Sequence, residues 1–192
     1  MIQQIFILLH IARTAPQAPV KSASFFGCRG SKIALRTEYK HNNKYIMALD
    51  DRQHVKVNAN ATTKSKGTTW EVEDYGSSPE DADARIIALK SIYKKYLSAS
   101  EPKANKNHAD ISSTTSAHST YLWKGAKFEV RKNDHQPKNQ FWFKTAWEYK
   151  DRKNKLRPHY LLGRQDGYLT GDGTQYNLRG YTGAKFVAEC VA

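Results

Sequence analysis

Residues 43–72 read NKYIMALDDRQHVKVNANATTKSKGTTWEV: a tyrosine-led hydrophobic strand, a polar and lysine-rich stretch, and an aromatic strand. The same order recurs twice further along the chain. The tyrosine-aliphatic pairs are Tyr45-Ile46, Tyr96-Leu97 and Tyr160-Leu161. The closing aromatic residues are Trp70, Phe128 and Phe186, each 58 residues after the one before. Equal spacing of this kind indicates an internal threefold repeat.

A hydrophobic triplet also opens each copy, at residues 33–35, 87–89 and 141–143. Aromatic residues alternate with mixed ones from Phe141 to Tyr149, which is the period of a β-strand. Turn signals such as Asp166-Gly167 separate the strands, and helical periodicity is weak throughout. The pattern therefore predicts an all-β chain.

Three copies of a four-strand unit give about twelve strands. Closing them into a barrel capped by hairpins removes the exposed sheet edges that otherwise promote aggregation. This architecture is the β-trefoil. We expect the three tyrosines, and likewise the three closing aromatics, to be related by a pseudo-threefold axis.

The fold is predicted to span residues 31–192, with residues 1–30 as an N-terminal tail outside it. The apolar run from Ile5 to Ala12 is much shorter than the roughly 20 residues that span a bilayer, so we expect no stable membrane insertion. Ala15 and Ala18 could lie near a signal cleavage site, although a basic n-region is lacking. A tail and a targeting segment both stay open.

The formal net charge is +13, from 31 basic and 18 acidic residues. A surface this basic attracts acidic partners, and three classes fit: nucleic acid, an anionic membrane and the acidic surface of an actin filament. Charge that merely keeps the protein soluble is the alternative.

The chain has two cysteines, Cys28 and Cys190, and no CxxC or Cys/His ligand spacing. We predict two free thiols in a reducing cytoplasm, with Cys190 as a small buried hydrophobe and no metal site. The sequence also lacks the GxSxG, HExxH and P-loop motifs. We therefore expect a protein that is not an enzyme, with no catalytic residues and no cofactor.

The segment from Asn42 to Glu73 resembles the opening trefoil of the fascin family. The matching elements are Asn43-Lys44-Tyr45-Ile46, Lys56-Val57-Asn58-Ala59, the turn from Thr62 to Lys66, and Trp70-Glu71-Val72-Glu73. The resemblance extends more loosely over residues 31–192. It implies a cytoplasmic, cytoskeletal protein that binds filamentous actin. Fascins carry four trefoils in tandem, so a single trefoil would need to oligomerise in order to bundle filaments.

The resemblance also implies site residues. Lys56, Lys64 and Lys66 are the expected actin-binding residues, and Thr63 is the expected site of regulatory phosphorylation. A phosphate there would place about −1.5 to −2 charges beside the lysines. An ordinary solvated turn is the alternative.

RNA binding is the second functional hypothesis, as a basic trefoil of a nuclear or ribonucleoprotein assembly. It rests on a basic run near Trp147 and Tyr149, because cations interleaved with aromatics suit phosphate contact and base stacking. The basic residues of this run are Lys150, Arg152, Lys153, Lys155 and Arg157.

Overall fold

The structure is a computed structural model that describes most of the chain. The described residues are 18–37, 44–49, 56–101, 108–115, 124–133, 139–150, 153, 155–163, 169–172 and 185–192. Within them, the regular structure is thirteen strands and three single 3-10 turns, the latter at Ser24–Phe26, Lys66–Thr68 and Lys124–Ala126.

The strands form one antiparallel sheet. In chain order they are β1 (Val20–Lys21), β2 (Lys32–Thr37), β3 (Tyr45–Leu49), β4 (Lys56–Ala61), β5 (Thr69–Ser77), β6 (Ala84–Ser91), β7 (Tyr96–Ala99), β8 (His108–Thr115), β9 (Phe128–Lys132), β10 (Gln140–Lys150), β11 (Leu156–Gly163), β12 (Leu169–Asp172) and β13 (Phe186–Cys190).

Six of these strands close into a barrel. β2 pairs with β5, β5 with β6, β6 with β9, β9 with β10, β10 with β13, and β13 returns to β2. The hairpins β3–β4, β7–β8 and β11–β12 follow the first, third and fifth barrel strands. Two barrel strands and one hairpin thus repeat three times, which confirms the predicted β-trefoil.

The barrel core repeats with the same symmetry. Ile33, Ile87 and Phe141 lie 54 residues apart on β2, β6 and β10, and all are fully buried. Each of the closing aromatics stands opposite one of these three residues on the neighbouring strand. These pairs are Trp70 with Ile33, Phe128 with Ile87, and Phe186 with Phe141.

The three tyrosines are also equivalent. Tyr45, Tyr96 and Tyr160 each pair with a basic residue of the preceding barrel strand. Those partners are Arg36, Lys90 and Lys144, again 54 residues apart. The spacing in the sequence therefore reflects equivalent places in the three lobes, as predicted.

The fold extends further towards the N-terminus than the predicted boundary at residue 31. β1 pairs with β5, and Ala23 and Phe26 are fully buried. The ring of Phe26 packs at 4.7 Å from that of Phe141, and Asn139 donates a 2.6 Å hydrogen bond to the Phe26 carbonyl. Residues 20–28 follow no repeat, which is why the periodicity did not reveal them. The tail up to residue 17 lies outside the described residues.

The prediction of two free thiols is wrong. Cys28 and Cys190 form a disulfide, 162 residues apart in sequence, with their Cα atoms 5.4 Å apart. The bond joins the N-terminal segment to the end of β13, so it ties the start of the fold to its last strand. Cys190 is also exposed rather than buried.

A candidate anion-binding groove

A groove of about 540 Å³ opens on the outer face of the sheet where β2, β5 and β6 lie side by side. The lysines that line it are Lys21, Lys32, Lys66, Lys90 and Lys94. Glu71 is the acidic side chain among its described lining residues, and Thr69, Ser91, Ile92, Val191 and Ala192 complete the lining. The groove is therefore strongly basic.

Strand register brings these lysines together. Along β5, Trp70 and Val72 point into the core and are fully buried, so Thr69 and Glu71 face outward. Glu71 lies directly between Lys32 of β2 and Lys90 of β6. Residues directly opposite on neighbouring strands share a face of the sheet, so Lys32, Glu71 and Lys90 all lie on this outward face.

Two of the five lysines are partly neutralised. The ammonium group of Lys21 is 3.1 Å from the carboxylate of Glu71. That of Lys90 is 4.0 Å from the Glu73 carboxylate and 5.2 Å from the ring centroid of Tyr96. Within the described part of the chain, Lys32, Lys66 and Lys94 have no acidic group at ion-pair distance. Three lysines in the groove thus keep a charge that no described acidic group compensates.

Lys94 has a strained backbone. Its φ is 59°, the left-handed region that non-glycine residues seldom adopt. It ends the turn between β6 and β7, in which Ser91 accepts a 2.9 Å hydrogen bond from the Lys94 amide and donates one of 2.8 Å to the Lys95 carbonyl. Hairpins of this length usually carry glycine at the left-handed position. Here a lysine occupies it, beside the exposed Ile92 and Tyr93.

Lys66 reaches the groove from the 3-10 turn at residues 66–68. The Thr68 hydroxyl accepts a 2.7 Å hydrogen bond from the Ser65 amide and donates one of 2.9 Å to the Ser65 carbonyl, which fixes the entry to the turn. Gly67 lies close against β3, because a Cβ at this residue would come within 2.9 Å of the Ala48 carbonyl oxygen. The turn is therefore held on both sides.

Lys64, two residues earlier, belongs to a different environment that we call the Glu189 cluster: Arg36, Tyr45, Lys64 and Glu189. The Glu189 carboxylate accepts hydrogen bonds from Arg36 at 3.0 Å and from the Tyr45 hydroxyl at 2.9 Å. The Lys64 ammonium lies 3.1 Å from it. Burial alone would raise the pKa of Glu189, but the hydrogen bonds from Lys64, Arg36 and Tyr45 outweigh it and lower the pKa. The charge of Lys64 is thus paired with a carboxylate of the same chain.

Comparison with known families identifies the fold. Residues 25–144 match the family model described as a β-trefoil domain of unknown function (DUF569). The chain belongs to this family. The match begins within the N-terminal segment that packs on the barrel, and it contains four of the five groove lysines, all except Lys21.

The fascin resemblance was wrong, because the model that matches this DUF569 domain is not that of fascins. The sequence motifs that carried the resemblance consist largely of residues that pack in the trefoil core. Ile46 and Trp70, for example, are fully buried, and the Trp70 indole donates a 3.2 Å hydrogen bond to the Ile46 carbonyl. A shared core pattern shows the fold and not the family.

Solved structures similar to this DUF569 domain agree on the fold. A Caenorhabditis elegans protein of unknown function is 14% identical, with a TM-score of 0.53, and the match covers 83% of this chain and 93% of that one. The SDF2-like protein from Arabidopsis thaliana is 9% identical, with a TM-score of 0.51 and coverages of 82% and 91%. The BEL β-trefoil is 14% identical, with a TM-score of 0.53 and coverages of 92% and 98%. No curated protein matches the sequence.

Two of the three lysines predicted for actin binding, Lys64 and Lys66, lie in different environments. Lys66 lines the groove and Lys64 contacts Glu189. Lys56 lies in β4, where the structure does not describe its side chain. Thr63 is exposed, and its phosphorylation stays a prediction whose basis was the fascin resemblance.

The basic run predicted for RNA lies around the hairpin between β10 and β11. Lys153, Lys155 and Arg157 are exposed, Lys150 ends β10 without a described side chain, and Arg152 is outside the described residues. Trp147 is not available for stacking. It is 7% exposed, its indole donates a 2.7 Å hydrogen bond to the Ala99 carbonyl, and the Lys124 ammonium covers its ring at 4.1 Å.

Two further properties concern the described residues alone. They contain no group of three or more His, Cys, Asp or Glu side chains placed to hold a metal ion. Within the same ranges, no helix has the length and apolar character needed to cross a bilayer. The expectations of no cofactor and no catalytic activity stay predictions.

The sequence reasoning missed Lys21, Lys32, Lys90 and Lys94 as members of a site. They come from four separate places, β1, β2, β6 and a turn, and they meet only through strand pairing. One signal was present: aligning the repeats would have placed Lys32 and Lys90 on strands that flank the outward-facing Glu71.

Proposed function

We propose that this trefoil is a non-catalytic binding domain whose lysine groove engages the anionic groups of an acidic polymer. The observation that carries this proposal is the convergence of Lys32, Lys66 and Lys94 on one groove without acidic partners among the described residues. Clustered like charges repel one another and raise the local concentration of counter-ions. An anionic ligand relieves that repulsion.

The backbone of Lys94 supports the same conclusion. A left-handed conformation costs a non-glycine residue about 1–2 kcal/mol. Glycine would occupy this turn without that cost, yet the chain places a cation there, at the edge of the groove. Residues with strained backbones of this kind cluster at ligand-binding and active sites.

Filamentous actin receives less support from this arrangement. Its basis was the fascin resemblance, and Lys64, one of the three predicted contacts, is 3.1 Å from the Glu189 carboxylate. RNA is a second acidic polymer, and the experiments below separate it from other ligands.

The proposal is tested with paired double variants. Lys32→Ala/Lys66→Ala removes two groove charges, and Lys132→Ala/Lys155→Ala removes two exposed charges that do not line the groove. Binding to immobilised dextran sulfate is measured at several salt concentrations. We expect the groove variant to weaken binding and to flatten the slope of log affinity against log salt by roughly 1.4–1.8, at about 0.7–0.9 per contact.

The control variant should change affinity much less at the same net charge. Equal losses in the two variants would show that only total charge matters, and a larger loss in the control would place the site outside the groove. Either result would overturn the proposal. Thermal unfolding of both variants establishes that they are folded.

A further inference from the structure

The structure of the groove and the position of the disulfide point to one class of acidic polymer. We infer that the natural ligand is an acidic polysaccharide, a sugar chain that carries carboxylates or sulfates, in an oxidising compartment. This inference rests on the proposed anion-binding function and adds the class of ligand.

The lining chemistry separates sugars from nucleic acids. Among the described residues that line the groove, there is no aromatic ring and no arginine. Proteins that bind single-stranded nucleic acid stack its bases on aromatic rings, and arginine forks recognise phosphate with two hydrogen bonds. Lysine is a flexible point charge that binds a carboxylate or sulfate without a fixed geometry. The described lining of the groove therefore lacks the groups that favour RNA.

The neutral part of the lining offers few free hydrogen-bond donors. The Thr69 and Ser91 hydroxyls already donate to the Ser65 and Lys95 carbonyls, and Ile92 and Val191 provide aliphatic surface. A neutral sugar would ordinarily be bound through stacking on an aromatic ring, which this lining does not offer. The affinity must then come from the lysines, so the sugar chain must carry negative charge.

The disulfide provides an independent argument about location. Disulfides persist in oxidising compartments and are rare in the cytosol, where thiols are kept reduced. Cys28–Cys190 therefore argues against the cytoplasmic location predicted from the sequence, and with it against cytoplasmic RNA and actin filaments as partners. In oxidising extracellular settings, polysaccharides that carry uronic acids or sulfates are abundant polyanions.

The disulfide is adjacent in sequence to two residues of the groove. Val191 and Ala192 directly follow Cys190, and both line the groove. The Val191 amide donates a 3.2 Å hydrogen bond to the carbonyl of Lys32, one of the uncompensated lysines. In the disulfide-bonded protein, the residues that follow Cys190 thus complete the lining of the groove beside Lys32.

The test compares polymers with the oxidised full chain at one ionic strength. The probes are polygalacturonate, dextran sulfate, neutral dextran, polyuridylate and filamentous actin, with charge concentrations matched for the anionic ones. We expect both acidic polysaccharides to bind at least about tenfold more tightly than polyuridylate, and neutral dextran and actin not to bind. Carboxylate and sulfate preferences are read from the first two probes.

Groove variants distinguish an error in the class of ligand from an error in the location of the binding site. If polyuridylate or actin binds more tightly than the polysaccharides, and Lys32→Ala/Lys66→Ala weakens that binding, the polysaccharide inference is wrong while the groove's function stands. Binding of neutral dextran as strong as that of the acidic chains would also overturn the inference. If the groove variant binds every probe as the wild type does, both proposals fall.

Discussion

The turn at residues 63–68 places two lysines, two positions apart, in opposite circumstances. Lys64 meets the Glu189 carboxylate at 3.1 Å, whereas Lys66 enters a groove shared with four other lysines. The partner that neutralises Lys64 comes from β13, more than a hundred residues away. Whether a lysine of this turn is available to bind a ligand therefore depends on the residues that strand pairing brings near it and not on its neighbours in sequence.

The end of β13 connects these two regions. Glu189 is the acceptor of the Glu189 cluster, Cys190 forms the disulfide, and Val191 lines the groove. Glu189 is held by its pairing with Ala34, while Val191 lies beyond the last strand. Substitutions at residues 189 and 190 should therefore affect the two regions separately.

The largest effect is expected from Cys28→Ser/Cys190→Ser. Removing a disulfide that closes so long a loop should lower the free energy of unfolding by about 2–5 kcal/mol. In the folded variant, affinity for acidic polymers should also fall, because Val191 and Ala192 lose their covalent anchor. Denaturant unfolding and polymer binding at low temperature measure the two effects. Unchanged affinity would show that the disulfide does not support the groove.

Glu189→Gln tests the Glu189 cluster. It removes the carboxylate that Arg36, Tyr45 and Lys64 share, and should lower the free energy of unfolding by about 1–3 kcal/mol. It also releases Lys64, so binding of acidic polymers should be unchanged or slightly tighter. A marked loss of affinity in the folded variant would contradict the separation of the two regions.

The pH dependence of stability sharpens this result. Since the pKa of Glu189 is lowered in the fold, the unfolded state binds more protons in acid, and the stabilisation is present above the unfolded pKa. It is lost as the pH falls through the folded pKa, below the ordinary glutamate value of about 4.3. The difference in unfolding free energy between the wild type and Glu189→Gln should therefore shrink in that acidic range. A difference that is constant with pH would exclude the charged role of Glu189.

The smallest effect on stability is expected at Lys94. Lys94→Gly relieves the strain of the left-handed backbone but makes the unfolded chain more flexible. Because these two effects oppose each other, the free energy of unfolding should stay unchanged or rise by up to about 1 kcal/mol. Lys94→Ala removes the same charge but keeps the strain, and serves as the matched control. Both should lose a few-fold in affinity, since an exposed charge contact contributes about 0.2–1 kcal/mol. Affinity equal to the wild type in both would remove Lys94 from the site.

The fold could be predicted from the sequence because the residues of the trefoil core recur at equal spacing along the chain. Ile33, Ile87 and Phe141 keep their spacing since each occupies the same place in its lobe. The site has no such repeat. Lys66 was found through a resemblance that proved wrong, and nothing local distinguished it from Lys64. The disulfide was missed because its cysteines are 162 residues apart and only the closed barrel brings them together.

The most direct test of the account compares Lys66→Ala with Lys64→Ala. The two substitutions remove the same charge from the same turn, so bulk electrostatics predicts equal effects. We expect Lys66→Ala to weaken binding to dextran sulfate and polygalacturonate by a few-fold at low salt, as the loss of about 0.2–1 kcal/mol implies. Lys64→Ala should leave binding unchanged, because its ammonium is committed to Glu189. Equal losses, or a larger loss for Lys64→Ala, would contradict the groove as the binding site.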